Sequence, residues 1–507
     1  MIRRNIVLLG FVFVLSGCAL GPDFLRPFNA ASDGERTFLN DVYSVDGGDT
    51  QDISLWWERI DDPIFNEYVS RLLRQNLQLK QAAERIVQAQ ARANISRGGF
   101  FPSIGTATSG SRSFTNNFGN FSSVNSDRTF TESFDASLEV SWALDLFGRV
   151  RRSVEAADAN ILASEYDRKA LVHALIAQLL NTRVEVASQK KFLELAQKTA
   201  DNQRDILKII ERRYEMGTAN TRPQDILNAQ DNVARAEADV ALNKRLLADA
   251  AYRLDVLLGQ TPGTFDPFEA DFAMIAPPVD VPICLPADLL DRRPDLRASE
   301  LRVKAANADI GLAIADLYPQ FSLGGSIGFG SPETSNLFNA NQLAGNILAS
   351  ITSRLFEGGA LRANINLQRA ETRELAALYA ENVLNAMREV ESSLQAEKAL
   401  HRQLQMANQS AEALRKAEKI TYGRYLRGIE NLNDFLLAQQ EHYLAQQTVI
   451  SVQTIKWNTR TALYLALGGD WFGHVPNDGC GYASHKQANN KALDTDTQGQ
   501  EHGENKE

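Results

Sequence analysis

Two long stretches of the chain carry apolar side chains at alternating steps of three and four residues, the spacing of a coiled-coil seam. One seam runs from Val172 to Tyr214, and the same register, 211 residues later, runs from Val383 to Tyr425. Both seams predict helices, over about residues 146–216 and 357–427, each about 100 Å long at a rise of about 1.5 Å per residue. Abundant alanine on the other helix faces suits close packing against more than one neighbouring helix.

Both seams end in similar turn sequences. The first is YEMGTANTRPQDILNAQ, from Tyr214, and the second is YLRGIENLNDFLLAQ, from Tyr425. Gly217 and Gly428 are suited to end a helix, because glycine adopts backbone conformations that other residues avoid. Pro223 suits the first turn of a returning helix. The breaks therefore predict two hairpins of antiparallel helices.

Shorter stretches alternate apolar and polar residues with a period of two. They cover residues 134–142, where Asp135 and Glu139 are among the polar members, and residues 321–329 and 347–351. Segments of about ten residues with this pattern are typical of transmembrane β-strands, with one face toward lipid and one toward a lumen. A soluble sheet with one buried face has the same pattern. Loops at about residues 113–132 and 331–345 are expected to be extracellular.

Internal similarity extends across the chain. FFPSIGTATSG resembles LYPQFSLGGSIG, WALDLFGRVR resembles TSRLFEGGALR, and RLDVLLG resembles TALYLALG. Each half therefore reads helix, strand, strand, long helix, break and helix. The chain is predicted to be a duplication that holds four strands.

The first residues predict an export signal. MIRRN is positively charged, IVLLGFVFVL is a short apolar core, and LSGC resembles a lipobox in which Cys18 is lipidated. The alternative is an ordinary signal peptide with an incidental cysteine. By resemblance to bacterial lipoproteins, Ala19 rather than Asp after Cys18 favours sorting to the outer membrane of a Gram-negative bacterium, where the lipid chain adds membrane affinity. Apart from this covalent lipid, no cofactor is expected.

These features divide the chain into six predicted segments. They are a signal peptide (1–17), a lipidated linker (18–55), a first repeat (56–259), an inter-repeat linker (260–287), a second repeat (288–470) and a C-terminal segment with a polar tail (471–507).

Composition narrows the functional classes. The chain has 507 residues and a net charge of −10, which argues against a nucleic-acid partner because phosphate binding needs basic patches. No apolar stretch of about 20 residues follows the signal, so no membrane-spanning helix is predicted. The six His residues are scattered, and GGSIGFG lies in a strand pattern rather than a phosphate loop, which argues against an enzyme. Cys284 and Cys480 are a candidate disulfide or two free thiols.

Four strands cannot close a membrane barrel, which needs at least about eight, because open sheet edges are not tolerated in hydrocarbon. If the strands span a membrane, the chain must therefore oligomerise. Three chains of four strands would supply twelve strands with closed cyclic symmetry. A homotrimer in outer-membrane lipid is the expected assembly.

Several motifs resemble the TolC-type outer-membrane efflux proteins, in the lipoprotein branch typified by OprM and the NodT-like factors. They are CALGPDF, WWERIDDPIFNEYVSRLLRQNLQL, LPADLLDRRPDLRASE and the paired breaks. The resemblance implies a mainly α fold with a transmembrane β-barrel: a homotrimeric twelve-stranded outer-membrane β-barrel continuous with a twelve-helix periplasmic α-barrel, each chain internally duplicated.

The same resemblance implies a function without catalysis. The channel would be the exit duct of a tripartite efflux pump for drugs or other small toxic compounds, with an inner-membrane RND-type transporter and a periplasmic adaptor as partners. A duct for type I protein secretion or another secretion system is the alternative within the family, and the lipid anchor favours efflux. A structural coiled-coil lipoprotein would explain Cys18 and the heptads but not the strands in both halves.

The resemblance also assigns roles to residues of the breaks, as turns at the periplasmic mouth of the duct. The candidate adaptor-docking tips are Gly217, Thr218, Gly428 and Ile429. The candidate gate residues are Asp225, Tyr425, Glu430, Asp434 and Leu437. Asp135 and Glu139 are the candidate lumen residues of the barrel, where they would favour cations.

One candidate gate residue departs from the family pattern. Family members tie an Asp to a Tyr, here Asp225 and Tyr425, and also to an Arg, whose position holds Glu430. Two carboxylates would repel rather than bind each other. The arginines that could replace the missing cation are Arg222, Arg424 and Arg427, and spacing does not separate them.

Threefold symmetry would bring copies of the same acidic side chains together at the mouth. Glu430 and Asp434 would form a carboxylate ring that attracts cations and binds a divalent ion. Leu437 stands where the family has a deeper Asp ring, so the inner constriction is expected to be apolar.

Overall fold

The structure is a computed structural model that describes residues 19–26, 56–60, 62–117, 127–217, 222–267, 272 and 292–468. Cys18, Thr218, Cys284 and Cys480 lie outside the described residues. A short 3-10 helix covers Trp56–Ile60. The α-helices and β-strands are α1 (Pro63–Gln75), α2 (Leu77–Gly98), β1 (Ser103–Asn117), β2 (Asp127–Leu144), α3 (Arg149–Glu215), α4 (Pro223–Leu257), α5 (Pro294–Ala315), β3 (Gln320–Ser331), β4 (Leu343–Thr352), α6 (Ala360–Leu426) and α7 (Leu432–Ala466). Two further 3-10 helices, Thr334–Asn336 and Ala340–Gln342, lie between β3 and β4.

The helices of the two halves have matching lengths. α2 and α5 each have 22 residues, α3 and α6 each have 67, and α4 and α7 each have 35. The long helices begin three residues later than predicted, because glycines with positive φ precede both: Gly148 (φ 78°) in the first half, and Gly358 (φ 60°) and Gly359 (φ 88°) in the second. Asp145 then accepts hydrogen bonds from the free amides of Val150 and Arg151, at 3.0 Å each.

The four strands form one antiparallel sheet in the order β1-β2-β3-β4. Its register pairs Val140 with Ile104, and Leu138 with Ile327. Because directly paired residues share a face, the predicted apolar alternation forms one face of the sheet. The pairing of β1 with β2 continues into the loop predicted at 113–132, with Phe114 opposite Phe130 and with Ser and Thr residues on either side. Both strands are therefore longer, and the loop shorter, than predicted.

The described residues form two compact units. The strand unit comprises residues 19–26, 84–117, 127–165 and 298–379. The hairpin unit comprises residues 56–60, 62–83, 166–217, 222–267, 272, 292–297 and 380–468. None of the helices in the described part of the chain combines the length and apolarity needed to cross a membrane.

The core of the hairpin unit contains the predicted seams. Val172, Leu175 and Leu179 of α3 are buried there with Val390 of α6. The indole of Trp56 stacks on the ring of Tyr464, with 5.0 Å between ring centroids, in the same core. The heptads therefore predicted the buried faces of α3 and α6 correctly in this core, whereas the last position of the first seam, Tyr214, is 47% exposed.

The strand unit has a different helix packing. Ala156 and Ala159 of α3 pack against Ala305 and Ala308 of α5 in a small buried cluster. Short side chains allow two helix backbones to approach closely, as the abundance of alanine predicted.

Candidate functional site

The two sequence breaks are glycine-capped helix ends with the same backbone geometry. Gly217 has a φ of 66° and Gly428 a φ of 73°. The amide of Gly217 donates to the Tyr214 carbonyl, and the amide of Gly428 to the Tyr425 carbonyl, both at 3.0 Å. A positive φ favours glycine, so both breaks use it where the helix must stop.

The turn of the second half has a further set of bonds. The Ile429 amide donates to the Arg424 carbonyl at 3.0 Å, the wider bond of a Schellman helix end. The Arg424 guanidinium pairs with the Glu430 carboxylate across the turn. The Asn431 side chain then accepts from the Asp434 amide at 2.9 Å and caps α7.

The turn of the first half leads into α4 through Arg222 and Pro223. The Arg222 amide donates to the Asp225 carboxylate at 2.9 Å, and its guanidinium approaches the same carboxylate at 3.4 Å. A carboxylate in the first helical turn also complements the helix dipole. Asp225 and Asp434 are thus the third residues of two equivalent helices.

These contacts identify the arginine partners of the gate carboxylates. Arg222 bonds Asp225 and Arg424 bonds Glu430, whereas the Arg427 side chain donates to the Gly423 carbonyl at 3.0 Å. Asp225 and Glu430 therefore each have a cation from their own turn.

Beneath the turns, the ends of the four hairpin helices share one apolar cluster. Its buried members are Ile206, Ile210, Ala229, Tyr425 and Phe435. The rings of Tyr425 and Phe435 stack with centroids 5.8 Å apart and planes 9° apart. Residues from both halves thereby close the hairpin ends together.

A residue that sequence reasoning missed, Arg213 of α3, contacts this cluster. Its guanidinium lies 4.6 Å from the centroid of the Tyr425 ring, within the range of a cation–π interaction. It also donates to the Leu426 carbonyl at 3.3 Å, at the end of α6. Its position in the sequence could have indicated a role at the tip, because Arg213 precedes Tyr214, which is the counterpart of Tyr425 in the seam.

The environment of Tyr425 keeps its phenol neutral. Burial is the largest effect and raises its pKa above the ordinary value of 10.0, Arg213 opposes that rise, and the charge of Asp225 adds to it. The ring of Tyr425 thus has Arg213 as its charged neighbour, whereas Asp225 bonds Arg222 in its own turn. The tie between Asp225 and Tyr425 that the resemblance implies stays a prediction.

Two predicted gate or tip residues point away from the cluster. Ile429 is 60% exposed at the turn, and Leu437 is 58% exposed on α7. Asp434, three residues before Leu437, is also exposed, so both side chains lie on one face of α7.

Next to the apolar cluster, polar side chains form hydrogen bonds that connect α7 to α6 and to α3. The Glu418 carboxylate of α6 bonds the His442 ring of α7, whose other nitrogen lies 3.0 Å from the Gln446 amide. Gln203 of α3 donates to Gln439 of α7 at 2.7 Å. The described residues hold no cluster of three or more His, Cys, Asp or Glu suited to a metal ion.

The candidate lumen residues belong to the strand unit. Asp135 and Glu139 lie on the same face of β2, opposite the apolar face. The Ser133 hydroxyl donates to Asp135 at 2.8 Å. Gly330, paired with Asp135 on β3, leaves space for that carboxylate, since an added Cβ would lie 2.8 Å from its oxygen.

Comparison with known proteins identifies the family. The sequence model of the family "Outer membrane efflux protein" matches the chain twice, over residues 68–260 and 285–469. The chain belongs to the outer membrane efflux protein family. Both matched stretches of this efflux family member contain one of the glycine turns.

Relatives cover almost all of this family member. It is 30% identical over 465 residues to the toluene efflux pump outer membrane protein TtgC of Pseudomonas putida, covering 91% of this chain and 94% of TtgC. It is 28% identical to the pyoverdine export outer membrane protein OpmQ of Pseudomonas aeruginosa, covering 93% and 98%. These relatives are outer-membrane components of export systems.

Solved channels have the same fold. The outer-membrane channel OprN aligns with a TM-score of 0.77 at 29% identity, over 90% of this chain and all of OprN (100%). The open state of the MtrE outer membrane channel of Neisseria gonorrhoeae aligns with a TM-score of 0.72 at 27% identity, over 90% and 99%. The mainly helical TolC-like fold inferred from the sequence is confirmed.

Proposed function

We propose that this chain is the outer-membrane exit channel of a tripartite efflux pump of the RND type in a Gram-negative bacterium. It conducts small toxic organic compounds passively, without catalysis and without a cofactor. The observation that carries the proposal is the tip of the hairpin unit, where both repeats end in glycine turns over one cluster around Tyr425 and Phe435. Relatives named for toluene efflux and pyoverdine export support small organic cargo.

The functional channel is a homotrimer with a twelve-stranded barrel. The sheet has two unpaired edges, β1 and β4, beside an apolar face. Hydrocarbon does not tolerate open edges, so β1 of one chain must pair with β4 of the next. Three chains then close the barrel, with Asp135 and Glu139 facing its water-filled lumen.

Attachment to the outer membrane also involves the lipid on Cys18, supported by the LSGC junction and by Ala19 after it. The partners are a periplasmic adaptor and an inner-membrane RND-type transporter. The adaptor binds the tips of the two repeats (56–259 and 288–470), at Gly217, Thr218, Gly428 and Ile429.

The gate is an apolar and aromatic closure at these tips. Tyr425, held between Phe435 and Arg213, ties the second repeat to the first, and Asp225 contributes its charge. In the trimer, Glu430 and Asp434 supply an acidic ring at the mouth, and Leu437 supplies an apolar constriction.

Deletion of the gene tests the exit-channel function. Deletion should raise the intracellular accumulation of a fluorescent dye and lower the tolerated concentrations of toluene and antibiotics, and wild-type complementation should restore both. Unchanged accumulation, together with loss of a secreted protein from the medium, would instead establish the secretion-duct alternative.

Single-channel recording tests the two acidic sites separately. Glu430→Gln with Asp434→Asn should reduce block by divalent cations. Asp135→Asn with Glu139→Gln should reduce cation selectivity and leave divalent block unchanged. If each double variant behaves as the wild type does, these carboxylates do not face the conduction path.

A further inference from the structure

The segment that follows Cys18 is bound along the strand unit through its backbone. The Leu20 amide donates to the Phe147 carbonyl at 3.4 Å. The Arg152 guanidinium donates to the Leu20 carbonyl at 3.0 Å and to the Gly21 carbonyl at 3.3 Å. Consecutive carbonyls are thus recognised by a single side chain.

A second helix contributes bonds to the same segment. The Asn307 amide of α5 donates to the Pro22 carbonyl at 2.9 Å. Four residues further along the segment, Arg26 pairs with Glu300 of α5 at 3.0 Å. The segment therefore bridges the start of α3 and the middle of α5.

The segment lies in a cleft between the start of α3 and the middle of α5. Two glycines leave room there for its backbone. A Cβ added to Gly311 would lie 2.7 Å from the Leu20 carbonyl oxygen and 2.9 Å from the Arg152 side chain. A Cβ added to Gly148 would lie 2.6 Å from the Ala19 Cα. Any larger residue at either position would displace the segment, because real Cβ atoms do not approach so closely.

The recognition depends on hydrogen bonds more than on surface charge. The Arg152 side chain is 5% exposed and also pairs with Glu155 at 2.7 Å, whereas its other carboxylate partner, Asp23, is 92% exposed. Exposed ion pairs contribute little. A buried guanidinium that lost the carbonyls would leave donors unsatisfied, which costs more.

We propose that Phe147, Gly148 and Arg152, with Asn307 and Gly311, form a peptide-binding site whose ligand is the mature N-terminal segment, residues 19–26. The site ties together the β2–α3 connection of the first repeat and the helix that precedes β3 in the second. It fixes the segment beside Cys18 through protein contacts, independently of any lipid. This inference goes beyond the proposed efflux function and does not depend on it.

Binding in trans tests the site. In the full chain, residues 19–26 are replaced by a Gly/Ser linker of the same length, and a C-terminally labelled peptide ALGPDFLR is titrated by fluorescence anisotropy. We expect saturable binding that is at least tenfold weaker with Arg152→Ala, because that side chain donates to the backbone carbonyls of the peptide. Binding of equal strength with and without Arg152→Ala would overturn the proposal.

Proteolysis of the otherwise intact chain gives a second test that needs no replaced segment. Chymotrypsin cleavage after Phe24 should be at least tenfold faster in Asn307→Ala and in Gly311→Val than in the wild type. Arg302→Ala, at an exposed position on the opposite face of α5, is the control and should leave the cleavage rate unchanged. Equal rates in all four proteins would show that the segment is not held by this cleft.

Discussion

The two hairpin turns share a backbone but use equivalent side chains differently. Tyr214 and Tyr425 occupy the same place in the repeat, yet Tyr214 is 47% exposed and Tyr425 is 7% exposed. Their neighbours Arg213 and Arg424 are also equivalent: Arg213 contacts the ring of Tyr425 in the other repeat, whereas Arg424 pairs with Glu430 in its own turn. The two repeats therefore share the geometry of the turn, whereas their equivalent side chains make different contacts at the tip.

The largest expected effect is the loss of stability when Phe435 is removed from the apolar cluster around Tyr425. Phe435→Ala should destabilise the tip by about 3–5 kcal/mol, because it removes a buried ring stacked on Tyr425. Its counterpart Ile226 is only half-buried, so Ile226→Ala should cost less. Hydrogen exchange of tip peptides and the open fraction in bilayer recordings measure both. Equal effects would mean that the two repeats contribute alike.

The glycine turns should respond identically. Gly217→Ala and Gly428→Ala each place a Cβ in open space but force an alanine to positive φ, at about 1–2 kcal/mol. Gly423→Ala is the matched control: it lies inside α6 with nothing near its added Cβ, and should stabilise by about 0.5–1 kcal/mol. Thermal unfolding measures all three. A clear difference between Gly217 and Gly428 would show that only one turn bears strain.

Arg213→Ala tests the contact between Arg213 of the first repeat and the ring of Tyr425 in the second. Loss of the cation–π interaction should cost about 0.5–2 kcal/mol and raise the fraction of open channels. Arg212→Ala, the adjacent residue in the last turn of α3, is the control and should leave the open fraction unchanged. If both variants open the channel equally, general charge at the tip matters rather than the ring contact.

The smallest expected effect is a shift in the pH at which the Tyr425 phenol ionises. The raised pKa of Tyr425 means that its phenol should ionise above the ordinary value of 10.0. The stability from this raised pKa is therefore present below about pH 10 and is lost as pH rises through the folded-state pKa. Ultraviolet titration of the wild type minus Tyr425→Phe isolates this phenol. Arg213→Gln should shift its ionisation to still higher pH; a shift downward would contradict the contact.

The sequence predicted the long helices, their breaks and the faces of the strands, because each depends on local periodicity or on glycine. It could not choose the partners of Asp225 and Glu430, since both partners depend on how the chain bends within a turn. Arg213 was missed because its target lies 212 residues away, and spacing within one helix does not reveal that approach. The docking of residues 19–26 depends on Gly148 and Gly311, which have no local pattern.

Glu397 occupies a position in a mostly apolar seam, and its carboxylate is buried against Arg460 of α7 at 2.7 Å. Sliding one helix past the other by a turn, about 5.4 Å, would separate the two ions and leave both unpaired in the core, at a cost of several kcal/mol. The equivalent positions of the first repeat, Val186 and Ala251, are buried and apolar. The second hairpin is thus aligned along its axis by a buried ion pair, whereas the ion pairs that join α3 to α4 in the first hairpin, Arg204 with Glu237 and Arg253 with Glu185, are exposed.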